Sequence, residues 1–185
     1  LRKFLFIKHR KRSFFLRNCR NPDNEELVFE NHVVICGYGR VGGWLGRALM
    51  LCQVPFVVVD YNYQVVLELR DKGIPVVYGD PADIEVLNFT QVNKARVVVI
   101  AIPDKHTQEM VIGNALSLNP GIQIICRTHH QEDRNRLKAL GVQTVIQPEF
   151  EASLTIIHRL VQSFGFSQEE VYGKIKRIRI EYGSS

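Results

Sequence analysis

Several things are scarce in this 185-residue sequence, and each scarcity excludes something. No apolar run approaches the roughly 20 residues that a membrane-spanning helix needs, and the opening "FLFI" is too short and too quickly followed by charge for a signal peptide. The four cysteines, Cys19, Cys36, Cys52 and Cys126, form no C-x-x-C pair, and no histidine stands at metal-ligand spacing. No zinc or redox site is therefore read, and Cys36 and Cys126, at the ends of apolar runs, are read as packed thiols in a reducing compartment. No Ser/His/Asp or Cys/His set converges by spacing, so the sequence offers no catalytic residues.

Acid is missing from the first 22 residues, whereas Arg2, Lys3, Lys8, Arg10, Lys11, Arg12, Arg17 and Arg20 are all there. The formal charge of +5 divides as +8 over residues 1–20 and −3 over the rest, where 16 basic residues meet 19 acidic ones. The pI of 9.1 thus belongs to the leader. With no RNA- or DNA-binding motif beside it, the leader gives no case for nucleic acid. A basic stretch broken by "FLFI" and "FFL" suits an anionic membrane surface; a solvated linker is the other reading. The chain begins at Leu1 rather than Met, which reads as a piece of a longer protein.

From Asn31 onward, β-rich runs at 32–36, 55–60, 74–80, 95–102, 122–128 and 142–147 alternate with helical patterns at 41–52, 62–72, 82–88, 104–118 and 130–140. Gly73 and Gly141 stand where helices stop before a strand. Six buried-type strands alternating with helices predict an α/β fold, a Rossmann-like doubly wound six-stranded parallel sheet with a C-terminal crossover helix. The expected organisation is a basic linker over 1–30, a nucleotide-binding domain over 31–148 and a helix with a short tail over 149–185. Residues 171–182 alternate weakly and read as a strand with no following partner.

"HVVICGYGRVGGWLG" (32–46) holds Gly37, Gly39 and Gly42 as G-x-G-x-x-G between a strand and a helix. Gly37 allows the tight turn, Gly39 lets a phosphate approach and Gly42 lets the helix pack. The helix amino end then favours an anion. Asp60 ends the second run about 20 residues on, where an acid accepts hydrogen bonds from ribose hydroxyls and repels a 2′-phosphate. NAD(H) or AMP is therefore expected, with NADP disfavoured. Arg40 either forks onto a phosphate or is a solvated first-turn residue. Asp80 faces the base, caps the helix beginning near Pro81, or both. Arg127 meets a phosphate or makes a helix-capping salt bridge. His106, His129 and His130 are read as surface residues.

Taken together, "HVVICGYGRVG", "VVVD" ending at Asp60, "GD" at 79–80, "IICRT" at 124–128 and "QPE" at 147–149 resemble a TrkA-N, or RCK N-terminal, domain over roughly 31–165. With "IPDKHTQEMVIGNAL", the sequence is most similar to the cytoplasmic domain of Kef-type monovalent cation:proton antiporters. The resemblance implies a nucleotide-reading module and cofactor contacts also at Tyr38, Val41, Tyr61, Gly79, Ile102 and Glu149. It implies pairing as a homodimer and attachment to a transmembrane antiporter domain on the cytoplasmic side of the inner membrane. The alternatives are a gating subunit of a Trk/Ktr-type potassium channel and a fragment of an NAD-dependent oxidoreductase. The latter lacks room for a substrate domain after the sixth strand. The pairing surface is expected on helix 149–164, where Leu154, Ile157, Leu160, Val161 and Phe164 share a broad side widened by Ile156. The rival is a helix lying flat on its own sheet edge in a monomer.

Overall fold

The computed structural model describes residues 29–183. Cys19 and the readings made of the basic leader over 1–28 lie outside the described residues. Six strands form one parallel sheet: β1 (Val33–Cys36), β2 (Phe56–Asp60), β3 (Val76–Tyr78), β4 (Val97–Ile100), β5 (Gln123–Arg127) and β6 (Thr144–Ile146). Their order is β3-β2-β1-β4-β5-β6, with Val34 level with Val57 on one side and Val98 on the other. Chain direction across the sheet reverses between β1 and β4, which opens a crevice at the carboxyl ends of those strands. The paired portions are shorter than the apolar runs of the sequence, because the run ends enter turns.

Valine and isoleucine fill the central strands because β-branched side chains suit a sheet buried on both faces. Ile35, Phe56 and Val58 face one layer with Leu69 and Ile74. That layer lies under α1 (Arg40–Leu51) and α2 (Tyr63–Asp71), through Leu45, Leu49 and Val65. Val34, Cys36, Val57, Val59, Val98 and Ile100 face the other, with Leu87, Ile112 and Leu137. Those three belong to α3 (Ile84–Phe89), α4 (Lys105–Leu118) and α5 (Asp133–Ala139). Each such buried side chain contributes about 1.5–3 kcal/mol. Burial pushes the thiols of Cys36 and Cys126 up to about 12, as expected of packed, unreactive groups.

Local chemistry sets the helix ends. Asn62, Asp83 and Asp104 cap α2, α3 and α4 by accepting hydrogen bonds from backbone N–H groups of the first turn. Gly73 and Gly141, at φ 69° and 96°, end α2 and α5 as the sequence predicts.

After β6 come α6 (Pro148–Ser163) and α7 (Gln168–Gly183). The strand expected over 171–182 is a helix. Val171, Ile175, Ile178 and Tyr182 recur at helical spacing and are the less exposed positions of that segment. Ser167 and Glu170 form a reciprocal capping box, Glu170 Oε2 accepting from Ser167 N at 2.9 Å and Glu170 N donating to Ser167 Oγ at 3.3 Å. The tail therefore packs along α6 as a second helix rather than seeking a sheet edge.

Candidate functional site

The β1–α1 turn is built on glycine for two different reasons. Gly37 has φ 91°, and a methyl group there would come within 2.9 Å of Ile102 Cγ1. A methyl group on Gly42 would stand 2.1 Å from the Gly37 carbonyl oxygen. Both positions are required by the protein itself. Gly39 is not: its φ of −75° suits any residue, and a methyl group there meets nothing within 4 Å. Gly39 also gives α1 no side-chain cap, unlike the residues that open α2, α3 and α4. The first N–H groups of α1 have no intrahelical partner and no side-chain cap, at the positive end of the helix dipole. Arg40 is exposed and Val41 half-buried beside them. Tyr38 lays its ring over Gly46, where a methyl group would come within 2.5 Å of the phenol oxygen, and burial raises its pKa.

Asp60 ends β2 only 7% exposed. Its Oδ2 accepts from Tyr38 N at 2.7 Å and its Oδ1 from Asn62 N at 2.8 Å. The carboxylate therefore holds the glycine loop against β2 while keeping lone pairs free for further donors. Gly37, Tyr38, Asp60 and Ile102 are brought together as the sequence predicts. Tyr61 is 71% exposed at the same edge. Gly79 is small because a methyl group would strike Val86 at 2.7 Å. Asp80 does not cap a helix. Its Oδ1 accepts from Ala82 N at 2.9 Å in a local turn, and Asp83 caps α3 three residues later.

A second cluster stands at the carboxyl ends of β5 and β6. Arg127 Nη2 lies 2.6 Å from His129 Nε2, His129 Nδ1 lies 2.8 Å from Glu149 Oε1, and Arg127 Nη2 lies 3.9 Å from the same oxygen. The imidazole bridges the guanidinium and the carboxylate. Arg127 thus makes a salt bridge to the first turn of α6, and its buried Nε has no hydrogen-bond partner. Glu149 is held below the usual carboxylate range by its own backbone N–H, then by His129 and Arg127.

His129 is exposed, as read from the sequence, and is also the middle member of this chain, a role the sequence did not show. Gln108 was missed altogether. Only 1% exposed, it donates to the carbonyls of Ile102 and Arg127 at 2.8 and 2.9 Å and ties β4 to β5 below the crevice. A lone glutamine inside a helix gives no sequence signal of that role. Among the described residues no group of His, Cys, Asp or Glu could hold a metal ion, and no helix is long and apolar enough to cross a membrane.

A doubly wound parallel sheet with this loop at its switch point defines a Rossmann-like domain. Residues 33–148 match the TrkA-N domain, and the chain belongs to that family. Over 130 residues it is 31% identical to a putative cation/proton antiporter, YbaL of Escherichia coli K12, matching 70% of this chain and 23% of YbaL. The chain thus spans about a quarter of that relative's length. Among solved structures, the GsuK channel bound to NAD matches with TM-score 0.65 and 26% identity over 76% of this chain and 25% of that one. The Shewanella denitrificans Kef CTD in its AMP-bound form shares the fold at TM-score 0.74 and 22% identity, over 83% and 94%.

Proposed function

We propose that this chain is the nucleotide-sensing module of a larger cation:proton antiporter, held on the cytoplasmic side of the membrane, that binds AMP or NAD(H) to gate transport. One observation carries the reading: Gly39 leaves the amino end of α1 uncapped, next to the loop that Asp60 holds, although there is open space for a larger residue there. Phosphate would take the loop and first-turn N–H groups. Asp60 would take the ribose hydroxyls and repel a 2′-phosphate. The NAD carried by the GsuK structure and the antiporter name of YbaL support this choice of ligand and setting.

A nucleotide gates only through unequal affinity for two states of the domain. Arg127 offers the route. A phosphate oxygen reaching its guanidinium replaces Glu149, and so acts on the first turn of α6. That helix exposes Ile156, Leu160 and Phe164 at 65%, 56% and 75%, a stripe suited to a twofold pair of chains. Calorimetry with AMP, NADH and NADPH tests the ligand class: one AMP or NADH per chain is expected, with NADPH at least about tenfold weaker. Equal binding of NADPH, or no binding of any, overturns it. Sedimentation should give a dimer that Leu160→Asp with Phe164→Asp converts to monomer.

A further inference from the structure

The nucleotide reading uses only the first turn of α1. Gly42 and Gly46 are buried on the helix's inner side, against the Gly37 carbonyl and the Tyr38 ring. On the opposite side Arg40, Trp44, Arg47 and Leu51 follow one another at spacings of four, three and four, a single stripe along the helix. All four are exposed, Trp44 to 71% and Leu51 to 81%. The Arg47 guanidinium stands 5.6 Å from the centre of the Trp44 ring. Met50, 38% exposed, flanks the lower end. From Arg40 to Leu51 the helix contains no acidic residue.

Cations alternating with a tryptophan and a leucine suit a partner that is anionic outside and apolar just beneath, which is the headgroup boundary of a bilayer. A second copy fits poorly, since a twofold pair would set Arg47 and Arg40 against their own kind. The basic leader, with eight cationic residues and no acid over residues 1–20, is no better a cover, by the same repulsion. We infer that the Arg40–Trp44–Arg47–Leu51 face of α1 is a membrane-surface docking element. Its arginines meet the phosphates of anionic phospholipid, and Trp44 and Leu51 enter the acyl boundary. This assignment does not depend on the nucleotide site.

Trp44 is the chain's only tryptophan, so its fluorescence reports on this face whichever segment brings the protein down. The full 185-residue chain is mixed with vesicles of phosphatidylglycerol and phosphatidylcholine in roughly equal parts, with pure phosphatidylcholine as the control. Emission should shift to the blue with the anionic vesicles, be quenched by brominated acyl chains and return as salt is raised. Arg47→Gln should weaken binding about fivefold, and Leu51→Gln should reduce the blue shift, with circular dichroism unchanged in both. Sedimentation with vesicles at unchanged Trp44 emission would overturn the assignment by giving all binding to the leader. A blue shift that grows with protein concentration in the absence of lipid would overturn it in favour of self-association, and absence of binding would overturn it outright. AMP affinity, measured separately, leaves each of these outcomes intact.

Discussion

The glycine-loop end of the domain and its C-terminal helical hairpin are held by opposite means. At the loop, backbone does the work: Gly42 lies against the Gly37 carbonyl, and one carboxylate, Asp60, gathers two N–H groups from positions two and 22 residues away. At the hairpin, side chains far apart in sequence do it. Tyr182 stacks on Phe150 with ring centres 3.8 Å apart, lies 4.9 Å from the Arg134 guanidinium and donates its hydroxyl to Gln147 Oε1 at 2.8 Å. Arg179 makes a two-pronged pair with Glu151 at 2.8 and 2.7 Å. The first end is therefore fixed by backbone contacts, with no room for a side chain at Gly37 or Gly42, though Gly39 in the same loop is open. The second is a set of side-chain contacts outside the sheet, and is expected to open before the sheet does.

The largest effect is expected from Gly42→Ala. Its methyl group has to displace backbone, which costs on the order of 3 kcal/mol and should appear as a large fall in melting temperature. A small fall would mean that the loop is less constrained than the hairpin. Tyr182→Ala comes next, at about 2 kcal/mol from lost stacking and hydrogen bonding. Hydrogen exchange should show α7 losing protection while β1, β2 and β4 keep theirs. Loss of protection throughout would show that the hairpin and sheet are one cooperative unit.

Between these two ends lies a pH-sensitive anchor. His32 is fully buried, with Nε2 donating to the Thr90 carbonyl at 2.8 Å and Nδ1 without a partner. Burial lowers its pKa from 6.5, so the folded state favours the neutral ring. Its contribution to stability is complete above about pH 6.5 and is lost as pH falls from there through the folded value. Urea midpoints from about pH 8 down to pH 5 should decline more steeply in the wild type than in His32→Gln; parallel curves would remove His32 as the cause. The smallest effect belongs to Arg179→Ala. Its pair with Glu151 is substantially exposed, at 50% and 39%, and should be worth about 0.5 kcal/mol and fade with salt.

The same contrast explains what could be read from the sequence. The six-stranded parallel sheet, the glycine loop and Asp60 were legible because β-branched runs, glycine spacing and an acid at a strand end are marked by residue type and position. The roles of Gln108 and His129 were not, since no residue type or spacing in the sequence marks their partners. The tail was misread because Ile178, Ile180 and Tyr182 satisfy a period of two. The longer set Val171, Ile175, Ile178 and Tyr182 satisfies the helical period, and the Ser167–Glu170 box that starts the helix lies outside the alternating run. Asp80 shows a third kind of limit. An acid after a strand caps a helix or holds a turn equally well, and only the placement of Asp83 decides between them.

Gly39→Asp tests the central claim most directly, by calorimetric titration with AMP beside a melting curve. The aspartate caps α1 as Asp83 caps α3, so stability should hold or rise by up to about 1 kcal/mol. The same side chain occupies the first-turn N–H groups and sets a negative charge where phosphate would lie, so AMP binding should disappear. A variant that melts like the wild type and binds AMP with unchanged affinity would contradict the account.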